Sequence, residues 1–127
     1  MTYGFSKTTT LQFDQAVEKV TDELKKEGFG VLTTIDVRET MKKKLDIDFK
    51  KYVILGACNP PFAFKALQAE PEIGLLLPCN VVVYEENGHS TVSIFDPMVM
   101  TQILENDAMK PIAEEVQARL KRVIEAV

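Results

Sequence analysis

The sequence predicts an α+β layer domain of five strands and two long helices, and three observations carry that expectation. Apolar residues recur at helical spacing near both ends of the chain, the runs between them read as strands, and two of those runs flank Asn87-Gly88, a type I′ hairpin dipeptide. The expected order is β-α-β-β-(short α)-β-β-α with further short helices, all within one domain over residues 1–127. Consecutive strands in that order break the regular alternation of a doubly wound nucleotide-binding fold.

Residues 2–10 are Thr-rich and suit an edge strand. Phe13, Ala16, Val17, Val20 and Leu24 then share one helical face. That helix should stop at Gly28, a residue free to take the left-handed conformation, just after Lys25 and Lys26, two cations suited to the negative end of the helix dipole. Val31, Thr33, Ile35 and Val37 alternate as in a strand, and Val37, Met41 and Leu45 fall four apart, so the strand should run into a short helix with Lys42, Lys43 and Lys44 on its wet side. Residues 52–58 are continuously apolar, the pattern of a strand covered on both faces near the middle of a sheet. Asn59 is a favoured N-cap and Pro60 fits a first helical position, giving a short helix to Glu70 that Pro71 ends. The hairpin strands span 75–86 and 89–96. After Pro97 a short apolar piece leads to a last helix over about 108–126, with Met109, Ile112, Ala113, Val116, Leu120, Val123 and Ile124 on one stripe and Pro111 confined to the first turn.

Fifteen basic against 19 acidic residues leave a net charge of −4, which argues against a surface built for nucleic acid or an anionic membrane. The opening residues lack the basic-then-apolar order of a secretory signal. The most apolar stretch, 73–84, is broken by Gly74, Pro78 and Asn80 and falls well short of the ~20 residues of a membrane helix. The expectation is a cytoplasmic protein whose two cysteines stay reduced, a structural Cys58–Cys79 disulfide being the alternative.

Chemistry enters through the hairpin register. A two-residue loop pairs Glu86 with His89, Val83 with Val92, Val81 with Ile94 and, by continuation, Cys79 with Asp96, on the aliphatic and therefore core side. Asp96 either caps the turn at Pro97 or joins Cys79 as the wall of a small polar site. Cys58 ends a strand just before a helix N-terminus, a position that favours a thiolate, and with Asn59 and Pro60 it could line the same pocket as Cys79. Each thiol is equally readable as inert packing, since free Cys is among the most buried residue types. His89, the only histidine, lies at the hairpin turn, roughly 23 Å along the strand from Cys79, so a Cys79–His89 dyad within one subunit is excluded. No GxGxxG, Walker A, HExxH or GxSxG motif occurs.

Gly28-Phe-Gly-Val-Leu32, Ala57-Cys-Asn-Pro60, Ala66-Leu67, Leu77-Pro-Cys-Asn-Val81 and Asp96-Pro97, in that order, give the whole chain a resemblance to the bacterial and archaeal family called domain of unknown function 302. The resemblance implies a curved, mainly antiparallel sheet backed by helices, similar to the TATA-binding-protein-like class, and a homodimer; it implies no activity. Cys58, Asn59, Pro60, Pro78, Cys79 and Asp96 stand at its most characteristic positions, while Gln12 departs from the serine-like N-cap expected before the first helix.

The functional expectation is a domain that binds a small ligand or a metal ion at Cys58, Asn59, Pro60, Cys79 and Asp96, the metal donors being Cys58, Cys79 and Asp96 if there is one. The alternatives are a thiol-dependent enzyme with Cys58 or Cys79 as nucleophile and Asp96 as base, and an interaction module with no catalytic site. No particular cofactor is indicated. The opposite side of the hairpin carries Val82, Tyr84 and Phe95, an apolar patch expected to be covered by a second copy of the chain in a homodimer, cover by the helix that starts at Pro60 being the alternative.

Overall fold

The computed structural model describes all 127 residues, Met1–Val127. Strands β1 (Gly4–Thr9), β2 (Gly30–Asp36), β3 (Tyr52–Cys58), β4 (Cys79–Glu86) and β5 (His89–Phe95) form one antiparallel sheet in the order β1-β5-β4-β3-β2. The helices are α1 (Phe13–Lys26), α2 (Val37–Leu45), α3 (Pro60–Ala69), α4 (Val99–Ile103) and α5 (Met109–Ala126), with a 3₁₀ turn at Pro71–Leu76. No helix is long and apolar enough to cross a membrane.

The long helices form as their periodicity predicts and bury the same stripes. Ala16, Val20 and Leu24 of α1 and Val116, Leu120 and Val123 of α5 are buried in one cluster with Leu55, Val81, Val83, Val92 and Ile94 of the sheet. Burying each Val, Leu or Ile side chain among them is worth about 1.5–3 kcal/mol relative to leaving it in water. Gln12 serves as the α1 N-cap after all, its backbone N–H donating to Gln15 Oε1 at 3.2 Å. At the other end Gly28 (φ 88°) donates to the Lys25 carbonyl at 3.0 Å while Phe29 donates to that of Leu24 at 2.9 Å, a Schellman closure that places Phe29 in the core.

The hairpin has the expected register, with Glu86 opposite His89, Val83 opposite Val92 and Val81 opposite Ile94, and both loop residues lie at positive φ as a type I′ turn requires. Two expectations are corrected. β3 is interior but second from the edge, and only Val53, Leu55, Gly56 and Ala57 are buried; Tyr52 and Ile54, on the side away from the long helices, are half-exposed. Its outer residues are apolar because they pack within the sheet's own outer surface, Tyr52 stacking on Tyr84 at 5.4 Å. The second correction is that β4 begins at Cys79 rather than Leu75. Pro71 ends α3, but the chain coils on as a 3₁₀ turn that buries Ile73 in a second cluster with Ala66, Met100 and Met109, then passes a cis Leu77–Pro78 bond. A short apolar run read by periodicity alone does not distinguish that coil from a strand.

Gly56 is the tightest point of the sheet. A Cβ there would collide with Thr33 Oγ1 and approach Pro78 Cγ to 2.8 Å, and the β2–β3 register shifts between Val31 and Thr33 alongside it. Gly56→Ala should therefore lower stability by about 1–3 kcal/mol, read as a lower urea midpoint at unchanged m-value.

Candidate functional site

Cys58 closes β3, Asn59 caps α3, and Cys79 opens β4 directly opposite Ala57, so antiparallel pairing delivers the three residues to one corner of the sheet. The cover over this corner is thin: α5 passes on one side, while α3, the 3₁₀ turn and the start of α4 are short elements that do not fill the space. What remains is a cavity of about 300 Å³ lined by 19 residues, 16 of them hydrophobic, including Phe29, Phe62, Met100 and Val116. Cys58, Asn59 and Cys79 all line it. Pro60 and Asp96 do not.

Asp96 is withdrawn for a local reason. The β4–β5 ladder stops at Val81↔Ile94, because the chain turns at Pro97, and the expected Cys79–Asp96 opposition does not form. Asp96 Oδ1 instead accepts the Met98 N–H at 2.9 Å, an Asx-type turn, and Gln117 Nε2 at 3.0 Å. Without Asp96 the expected metal set is broken, and no three His, Cys, Asp or Glu side chains gather closely enough to hold an ion.

Asn59 starts the helix as predicted but makes no side-chain cap bond. Its Nδ2 donates to the Glu27 carbonyl at 3.2 Å, and Arg119 Nη1 donates to the same oxygen at 2.9 Å. Arg119 also lies over the Phe62 ring, 5.2 Å from its centroid, and so props one wall of the cavity. A helix N-terminus can hold an anion on its free N–H groups, but here Pro60 and Pro61 remove two of those four.

The family profile of Domain of unknown function DUF302 matches residues 5–127. The chain belongs to the DUF302 family. Its structure is similar to that of an uncharacterized conserved DUF302 protein from Bacillus stearothermophilus, with 31% identity, a TM-score of 0.91, and coverage of 99% of this chain and 98% of that one. No curated protein matches.

In this DUF302 chain both cysteines are free. The sequence places Cys58 where a helix dipole would favour its thiolate, but burial dominates and pushes the thiol above its ordinary value. Cys79 is raised further, to about 11, by burial first and then by the neighbouring Cys58 charge. Both are neutral near pH 7, which weakens either as a nucleophile. The wall residues Leu32, Phe29 and Met100 were not legible as site residues, since each reads simply as apolar; Met109 was visible only as part of the α5 stripe.

The thiol shift has a stability consequence. A group whose folded pKa is raised contributes stability that is complete below its ordinary value of 9.0 and is lost as pH rises toward about 11. Across that window the urea-derived stability should fall by about 2–3 kcal/mol more in the wild type than in Cys79→Ala. Iodoacetamide should label Cys58 at lower pH than Cys79.

Proposed function

We propose that the protein binds a small, mainly apolar molecule in the cavity at the β3–α3 corner, as a cytoplasmic ligand-binding domain. The observation that carries this reading is a volume of about 300 Å³ whose walls are overwhelmingly hydrophobic, with Asn59, Cys58 and Cys79 as polar or polarizable groups among them. That is the composition of small-molecule sites, at the lower end of their usual ~300–1,000 Å³. The thiol-enzyme alternative has less support, because the raised thiols lack a base once Asp96 is engaged elsewhere.

Benzene tests the reading without knowledge of the natural ligand, since an apolar cavity of ~150 Å³ already accommodates it. With methyl-labelled methionine, benzene should saturably shift the Met100 and Met109 signals. It should fail to do so in Ala63→Phe, where a half-exposed wall residue of α3 becomes a ring that fills the space. Unmoved signals in the wild type, or equal shifts in the variant, would refute it.

A second reading concerns partners, and a specific observation favours it. The sheet face away from α1 and α5 carries Val82, Tyr84, Tyr52 and Tyr3 along a shallow groove, with the Tyr52 and Tyr84 rings stacked at 8°. Phe95 is partly accounted for within the chain, packing against the Ala66–Ile73–Met100–Met109 cluster. The remaining aromatic surface supports a homodimer formed through this face. Sedimentation at micromolar concentration should give a dimer for the wild type and a folded monomer for Tyr84→Glu; a monomeric wild type would refute it.

A further inference from the structure

The chemistry of the cavity narrows the class of ligand, an inference that rests on the ligand-binding reading above. Asn59 is only 7% exposed, yet it lines the cavity. Its amide is oriented by the 3.2 Å bond from Nδ2 to the Glu27 carbonyl, and that nitrogen sits within 3.0 Å of where a Gly28 Cβ would lie. No N–H or O–H of the protein donates to Oδ1, and no side-chain polar atom in the molecule is both shielded and unpartnered, so this oxygen is accessible. It is a neutral acceptor on a nearly buried residue, and an occupant that displaces water from it gains by donating a hydrogen bond in exchange. Asn59 is the only residue with a side-chain amide among those lining the cavity.

The remaining groups exclude charge. Both thiols are protonated at neutral pH and offer weak S–H donors at most. Two of the α3 N-terminal donors are missing at Pro60 and Pro61, and Asp96 is engaged with Met98 and Gln117 outside the cavity. Arg119 directs Nη1 to the Glu27 carbonyl and Nε to Glu115 Oε1. An ion placed inside would lose its hydration with no counter-charge among the walls. Leu32 and Leu67, both wall residues, are also exposed, at 67% and 42%, so the rim is apolar as well.

We infer that the cavity takes a neutral ligand with a rigid apolar body and a single hydrogen-bond donor, a hydroxyl or N–H group, which is received by Asn59 Oδ1. The cavity, at about 300 Å³, has about twice the volume of the ~150 Å³ site that holds benzene, which suits a two-ring body.

Equilibrium dialysis with 2-naphthol, 2-methoxynaphthalene, naphthalene and 2-naphthoate tests this. 2-Naphthol should bind about 3- to 10-fold tighter than naphthalene, the range expected of one net hydrogen bond. 2-Methoxynaphthalene, which keeps the oxygen but lacks the donor hydrogen, should show no such advantage, and 2-naphthoate should bind weakest. Asn59→Leu should abolish the preference for 2-naphthol while still binding naphthalene. If that variant does not fold, the wild-type comparison of 2-naphthol with its methyl ether decides. Equal or tighter binding of naphthalene or the ether, or tightest binding of 2-naphthoate, overturns the ligand class while leaving the cavity a binding site. Failure of every probe to bind overturns the site reading and this inference with it.

Discussion

Five strands share only two long helices, and most of the architecture follows from that shortage of cover. α1 and α5 lie over the inner face of β3, β4 and β5 and bury it densely, with Val81, Val83 and Val92 fully removed from water. Nothing comparable covers the other face, so Tyr52 and Tyr84 stack on each other there instead of entering a core. At the corner where β3 ends and β4 begins only α5 of the two long helices contributes, along one side through Met109, Ile112, Ala113 and Val116. That corner is roofed by α3, the 3₁₀ turn and α4, elements too short to interdigitate as long helices do, and close packing fails there by about 300 Å³.

The cavity survives because its edges are tied at one point. The Glu27 carbonyl, left free at the end of α1, accepts from Asn59 at the start of α3 and from Arg119 of α5. The Glu27 carboxylate receives Arg122 Nη2 at 2.8 Å, which holds the acid below its ordinary value. One residue thus fixes the relative position of three helices. Its placement depends in turn on Gly28 adopting positive φ directly after it, so that the chain leaves α1 with the carbonyl facing its two donors.

What the sequence made legible was local. Asn87-Gly88 determined the hairpin register because a type I′ turn allows only one pairing, and the stripes of α1 and α5 were visible because helical spacing and burial coincide over many residues. Extrapolating the same register to Cys79 and Asp96 failed because pairing ends at Val81 and Ile94, where Pro97 turns the chain, and no periodicity reports where a ladder stops. The convergence of Cys58, Asn59 and Cys79 was anticipated only as a possibility, since it depends on β3 pairing with β4, a contact between segments separated by more than 20 residues. The apolar character of the site was missed for a different reason. Leu32, Ile73 and Met100 carry no signal that separates the wall of a cavity from ordinary core.

The sulfur and amide groups take a different meaning in that setting from the one their spacing suggests. A Cys before a helix, a second Cys and an Asp resemble the parts of a polar, reactive site. The fold takes each away from that role in turn: burial keeps the thiols protonated, the Asp turns aside to accept the Met98 N–H, and adjacent prolines take N–H groups from the helix start. What is left is Asn59 Oδ1, a neutral acceptor in an apolar chamber. On the ligand-binding reading such a chamber discriminates by shape and by one hydrogen bond, and an ionic occupant forfeits its own hydration.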